Sequence, residues 1–432
     1  MTDPMRSMAS EIADRTVAMA LEAGATQAEA VVVDGASALT RFANNELHQS
    51  VAEDDVWINL RFIEGQRIGV ASGNTLDDDA LRQLAGTAAE TARHQPEQAW
   101  FSSLPRPGPV PLRGGAWAQG TADAGPELRA DAAGAIIAAA RGVGARAFGL
   151  VETSSETISV VNSLGVDVSE RRSRSHVLSV MMGPGGGTGF AERVAVDIGT
   201  IDASALGREA AARTAAMKDP VELPAGDYPV VLDHYATMDL ALWLGLVGFN
   251  AQEVQEQQSF FEPGKVVASP LVSLADDGAD LDGTPASFDY EGVAKRRVPL
   301  IEAGVCREVV HDSKTAAAAG VASTGHALPA PNAWGPFPYN LSMAAGEASR
   351  EELIGGLERG LLVTRFHYTN AVHPKQVRIT GMTKDGLFLV EDGRITAPVR
   401  NLRFTQSYLD ALAAVEAVGS ERRAVDGDDY LG

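Results

Sequence analysis

The sequence predicts an α+β fold in two parts. Residues 1–218 read as an N-terminal α/β domain of antiparallel meanders with flanking helices, and 219–432 as a strand-rich, barrel-like C-terminal domain. Three observations carry this. Two separate stretches of the first half alternate apolar and polar residues between short polar or Gly breaks, the mark of antiparallel strands. Each lies between segments of helical period. After "DPVELPAGDYP" the texture changes to short strands and turns with frequent Gly.

The elements follow in order. Ser7 to Leu21 places Met8, Ile12 and Met19 at near-helical spacing, and Gly24 follows as a stop. "AEAVVVDGASALTRFANNELHQSVAEDDVWINLRFIEGQRIGVASGN" is the first meander, broken at "NN", "EDD" and "EG". "DDDALRQLAGTAAETARH" returns to helix, with acidic residues at its start to suit the helix dipole. The Pro- and Gly-rich stretch at about 95–115 reads as a linker. A helix over about Gly125 to Arg141 precedes the second meander, where "NSLG" marks a hairpin turn. A helix over about Asp202 to Met217 closes this half. Helix, meander and helix occur twice, a pattern of duplication without a visible residue-level repeat. Next, "PVVLD" reads as a strand feeding one long apolar helix, which Asp233 caps and which runs into a polar tail ending at Phe261. Two late helices are expected, in "GEASREELIGGLERG" and "SYLDALAAVEAVG".

Composition narrows function. The 432 residues carry 36 Lys and Arg against 57 Asp and Glu, a formal charge of −21. No basic field exists to attract nucleic acid or an anionic membrane. The one cysteine, Cys306, excludes an internal disulfide and a Cys-rich zinc cage. No apolar run approaches the roughly 20 residues of a membrane span, and the N-terminus lacks a signal-peptide core. A cytoplasmic protein is expected.

Motifs for chemistry are sparse. The apolar helix is core by its pattern, since an all-round apolar helix is buried. "GPGGGTGF" lacks the Gly-Lys-Ser/Thr ending of a phosphate loop and is expected to be a mobile loop beside a site. No pair of the eight histidines has zincin spacing. His367 and His373 could form a two-His metal site, but no third ligand is evident. Ser323, Thr324 and His326 are close in sequence without an orienting motif for nucleophilic catalysis.

Six stretches in register resemble the TldD/PmbA family of modulators of DNA gyrase. They are "RFANNELHQS", "VVNSLGVDVSERRS", "SFFEPGKVVASPLVSLADDG", "SFDYEGVAKRRVPLIEAGV", "SKTAAAAGVASTGHA" and "LFLVEDGRITAPV". The resemblance spans nearly the whole chain. It implies a two-domain peptidase subunit. Family members come as a metal-bearing subunit with a helical HExxxH and a metal-free paralogue, which pair around a cavity that accepts peptides. In this chain Leu242 and Val247 fall near the two His positions, Trp243 near the Glu, and Lys384 near a distal Cys ligand. None of these four offers what zinc or its water requires. The resemblance is therefore to the metal-free PmbA or TldE branch. No metal or cofactor is expected in this chain, and zinc is expected in a TldD-like partner. Substrate contact is expected from Asp289, Glu291, Gly292, Ser323, Thr324, Gly325, Asn44, Asn45 and Gln49. Structural roles are equally open to them: a turn for Asp289 to Gly292 and cross-strand pairing for Asn44, Asn45 and Gln49.

Three readings stand side by side. In the first, the chain is the non-catalytic half of a heteromeric metallopeptidase that binds extended peptide by strand addition. In the second, it is a stand-alone homodimer acting on a peptide-derived substrate without metal, with His326, His367, His373 and Lys384 as acid–base groups. In the third, it is a peptide-binding scaffold without chemistry.

Overall fold

The structure, a computed structural model, describes residues 7–427. Helix α1 (Met8–Glu22) starts at Ser7, whose hydroxyl accepts from Ser10 N–H, and buries Ile12, Ala13 and Val17. Strands β1 (Gln27–Ala43), β2 (Glu46–Glu64) and β3 (Arg67–Gly73) form the first meander, and α2 (Asp78–His94), capped by Asp77, packs on it. A single turn, α3 (Gln119–Ala122), precedes α4 (Pro126–Gly142). The second meander is β4 (Arg146–Asn162), β5 (Asp167–Met182) and β6 (Thr188–Ala195), followed by α5 (Ala203–Ala216). "NSLG" is the β4–β5 turn, with the Asn162 carboxamide oxygen accepting from Leu164 and Val166 N–H.

The two meanders share one six-stranded antiparallel sheet, ordered β3-β2-β1-β4-β5-β6. β1 and β4 pair at its centre, so the two halves meet as equivalents. A residue-level likeness does exist between the halves. In β3, a Cβ on Gly69 would lie 2.0 Å from the Ala88 carbonyl of α2; in β6, one on Gly189 would lie 2.3 Å from the Ala210 carbonyl of α5. In each half only glycine lets the closing helix sit on the third strand.

The second half holds β7 (Val230–Leu232), α6 (His234–Val247), α7 (Ala251–Gln255), β8 (Leu274–Asp276), β9 (Val298–Glu302), β10 (Val305–Cys306) and α8 (Ser313–Ala319). Then come β11 (Leu341–Met343), α9 (Arg350–Gly355), β12 (Arg359–His373), β13 (Arg378–Glu391), β14 (Arg394–Pro398), β15 (Arg403–Ser407) and α10 (Tyr408–Ala413). One sheet runs β10-β9-β8-β11; the other runs β14-β13-β12-β7, with β15 also on β13. Neither is a closed barrel, which corrects the barrel-like expectation. β14 and β15 both pair with the long strand β13, and β7 adds only three residues beside β12, so the sheet ends in open edges. The largest apolar core packs α6 against these strands through Leu244, Val247, Phe366, Ile379 and Leu387.

Three local expectations change. The apolar helix stops at Val247 instead of running on: Gly248 lies against the Phe260 ring, and Asn250 caps the separate helix α7. The helix expected to reach Gly419 ends at Ala413, and the chain beyond is extended. The "GPGGG" loop is the β5–β6 hairpin turn, closed by Gly183 N–H to Gly187 O and pressed on the end of α5 at Met217. The helix α8 escaped the sequence reading, although Asp312 and Thr315 form its capping box and Gly320 its left-handed stop. Among the described residues, no helix is long and apolar enough to cross a membrane.

Candidate functional site: a groove over helix α6

The site begins where β7 turns into α6. Asp233 accepts from His234 N–H and so caps the helix. Arg213 of α5 donates to its other oxygen at 2.6 Å. Burial would raise this carboxyl, but the bonds from His234 and Arg213 outweigh it and hold it well below the usual carboxylate range. The α6 N-terminus is thereby fixed to the N-terminal half.

One face of α6 floors a cavity of about 1730 Å³. Thr237, Met238, Ala241 and Leu242 are its helical lining, with Leu361 to Val363 and Phe366 from β12. Arg174 of β5 and Val194 of β6 reach it from the N-terminal sheet, so both halves of the chain build it. The extended segment after α10 also lines it, as far as Gly427.

The far side of α6 is anchored by a polar network that the sequence reading missed. Asp239, fully buried, accepts from Thr369 Oγ1–H at 2.7 Å and from the Tyr408 hydroxyl at 2.6 Å. Trp243 Nε1–H donates to the same Thr369 oxygen at 3.0 Å. Burial lifts the Asp239 carboxyl to about 6 despite both hydroxyl donors. The available signal was a lone Asp inside an otherwise apolar helix.

Of the positions singled out from sequence, Leu242 lines the cavity. Val247 is in the core, and Trp243 is tied to Thr369. Leu242 and Val247 carry no lone pair, and the Trp243 N–H is a donor only. These three side chains do not fit a metal. Lys384 pairs across the sheet with Arg365; its neighbour Thr383 is the lining residue, and strand alternation turns Lys384 to the other face. His367 and His373 lie exposed along β12.

His326 is elsewhere, fully buried. Its Nε2 bonds Asp276 at 2.7 Å, and its Nδ1 bonds the Thr324 hydroxyl at 2.8 Å. Burial and the nearby Lys295 keep this imidazole below its ordinary value. The order Thr–His–Asp resembles a nucleophile relay, yet Thr324 is 0% exposed, so no substrate reaches it. Ser323 donates to the His311 carbonyl, and Gly325 has φ +77° with Ala294 O 2.4 Å from where a Cβ would stand.

Asp289 accepts from the N–H groups of Glu291, Val293 and Ala327, and so shapes a turn. Burial and Glu291 together push its carboxyl up. Glu291 meets Arg61, which also meets Glu29 at 2.8 Å, and this buried triad joins the two halves. Gly292, at φ +71°, abuts Val160, Val166 and Val168 of the N-terminal sheet. Asn44 and Asn45 have positive φ, 52° and 66°, and form the β1–β2 turn. Asn45 also binds Ala145 O and Ala147 N–H. Gln49 is exposed on β2. None of these nine lines the cavity.

One group among the described residues gathers three donors of metal-ligand type: His176, Glu192 and Asp426. Glu192 bonds Nε2 at 2.7 Å, and Asp426 approaches Nδ1 at 3.5 Å. The three donor atoms lie within 4.8 Å of one another, and Arg174 binds the same Asp426 oxygen. The Arg174 guanidinium puts a positive charge beside this group and opposes a bound cation. Burial lowers the His176 value, but Glu192 and Asp426 more than reverse it.

Comparison with known proteins agrees with this architecture. Three domain models of the PmbA/TldA metallopeptidases match in order: domain 1 at residues 28–92, the central domain at 121–218 and the C-terminal domain at 225–430. A metalloprotease TldD homolog of Buchnera aphidicola is 27% identical over 222 residues, 49% of this chain and 44% of the relative. A metalloprotease of Methanothermobacter thermautotrophicus is 26% identical over 51% of this chain and 49% of its own. The match therefore spans about half the length of these relatives. Among solved structures, TldE from Thermococcus kodakarensis superposes with a TM-score of 0.88 at 20% identity, covering 96% of both chains. A Thermotoga maritima protein, described as a candidate modulator of a DNA gyrase, gives 0.86 at 21% identity, also over 96% of both. With these models in order along most of its length, the chain belongs to the PmbA/TldD metallopeptidase family.

Proposed function

We propose that this chain is a TldE-like subunit of a TldD/TldE-type metallopeptidase complex that processes or degrades peptides, and that it carries no metal site of its own. One observation bears most of the weight: hydrocarbon and indole side chains occupy positions 242, 243 and 247 of the helix that floors the groove. Catalysis by a bound zinc needs lone-pair ligands and a base for its water, and these side chains supply neither. The zinc would then reside in a TldD-like partner with a helical HExxxH, in the cytoplasm. This chain would contribute the groove and hold peptide in it.

The chain's own residues have definite parts in this reading. Arg213 and Asp233 orient α6 from one end, and the Asp239 network fixes its far side. The floor is therefore rigid where a peptide would rest. The apolar lining of Met238, Ala241 and Leu242 keeps water off the peptide backbone and strengthens main-chain hydrogen bonds there.

Coexpression with an HExxxH paralogue from the same genome tests the proposal. The two chains are expected to copurify and to cleave an unfolded peptide that neither cleaves alone, with cleavage lost to chelator. Chelator-insensitive cleavage by this chain alone would favour the homodimeric enzyme. Tight peptide binding without turnover, even with the paralogue present, would favour the scaffold.

A further inference from the structure

After α10 only Val415 packs against the core, and from there on the chain leaves it. No residue from Ala413 to Gly427 is buried. The segment is held instead by main-chain bonds and charges. Residues 418–420 run parallel to 346–348: Gly346 N–H donates to Gly419 O at 2.8 Å, and Ser420 N–H donates to Ala348 O at 2.8 Å. Gly346 permits this approach, because a Cβ there would stand 2.2 Å from Val418 O. Three residues past Gly419, Arg422 meets Asp280, Asp282 and the Ser342 hydroxyl. Arg423 meets Glu209 at 3.0 Å. Four residues past Arg422, Asp426 meets Arg174 and His176 of the N-terminal sheet. Gly427 then rests beside Met238 and Leu242 on the groove floor.

This is how an extended peptide is bound: main-chain pairing to an exposed backbone, with pockets choosing side chains. We propose that the groove wall along 346–348, Asp280–Asp282 and Arg174–His176 is a binding site for an extended peptide and that residues 418–427 occupy that wall in the free chain. The ligand it takes repeats their pattern: a short strand on 346–348, an Arg three residues on at the Asp280–Asp282 site, and a carboxylate four further at the Arg174–His176 site. Segments without buried apolar contacts open at low cost, so such a ligand displaces the segment. The inference rests on the reading of the chain as a peptide-handling subunit, and it adds the sequence pattern and the resident competitor.

The test measures binding only, without paralogue or turnover, so it can succeed where the heteromer fails and fail where the heteromer stands. The probe is a fluorescein-labelled peptide VEAVGSERRAVDG, the sequence of residues 415–427. It is titrated by anisotropy into the unmodified chain and into the chain carrying Arg422→Ser and Asp426→Asn. The variant is expected to bind at least tenfold tighter, and adding Asp280→Asn to it to reverse most of the gain. A scrambled peptide is expected to bind at least tenfold weaker. Equal affinity of the two chains, or of the two peptides, would overturn the proposal. Hydrogen exchange on the unmodified chain gives an independent reading should the variants misfold. Saturating peptide is expected to speed exchange at Ser420 while Gly346 stays protected. Unchanged exchange at Ser420 would overturn the proposal as well.

Discussion

Asp239 makes the anchoring of α6 measurable. Its carboxyl is fully buried, and it lies at about 6 in the fold against an ordinary 3.8. The folded chain therefore holds a proton there more tightly than the unfolded chain does. The sign follows from linkage: the group imposes no penalty below about pH 4, and stability falls as the pH rises from there through about 6. At about 1.4 kcal/mol per pH unit, the loss amounts to about 3 kcal/mol by neutral pH. Asp239→Asn keeps the shape, offers one acceptor and one donor to two hydroxyls that can rotate, and does not titrate. Urea unfolding of parent and variant at half-unit steps from pH 4 to pH 8 reads the difference. The stability of D239N relative to the parent is expected to improve by about 3 kcal/mol between pH 4 and pH 7. Tyr408→Phe should have the opposite effect, because the charged form loses a donor worth about 1.5–3 kcal/mol. Parallel pH curves for parent and D239N would refute the assignment of a buried, raised carboxyl to this network.

Arg61→Met leaves Glu29 and Glu291 buried without their counter-charge. It should cost about 3–5 kcal/mol in unfolding midpoint, with partial recovery on adding Glu29→Gln, whose carboxyl already lies near 7 through burial. Gly69→Ala and Gly189→Ala should each destabilise by about 1–3 kcal/mol, since both place a Cβ inside a helix carbonyl. Gly134→Ala is the control in α4: it is exposed with open space around its Cβ position, and it should stabilise by about 0.5–1 kcal/mol. Gly292→Ala should weaken the union of the two halves, because φ is +71° and the Cβ would stand 2.5 Å from Val166; limited proteolysis between residues 219 and 230 would report it.

Local chemistry was legible in the sequence. Alternation in both meanders, the Asp233 cap and the "NSLG" turn all correspond to observed elements, because each rests on nearby residues. The end of α6 was not legible, since Phe249 and the residues before it continue the apolar period, and the stop depends on the distant Phe260 ring. The same limit explains the late helix: "AVEAVG" has helical propensity, but pairing with Gly346 and Ala348 draws it into an extended path. The groove was hidden for a stronger reason. Its walls come from positions as far apart as Arg174 and Gly427, and long-range contacts leave no local pattern. The conspicuous motifs around Asp289 and Thr324 read as candidate site residues, whereas in the fold their polar atoms are engaged by the chain's own backbone and buried side chains.

The most direct test of a subunit without its own hydrolytic metal is elemental analysis of the purified chain, alone and in complex with an HExxxH paralogue. Zinc is expected at well below one equivalent in the chain alone and at one equivalent per pair in the complex. One tightly held equivalent in the isolated chain, lost together with peptide hydrolysis on chelation, would contradict it.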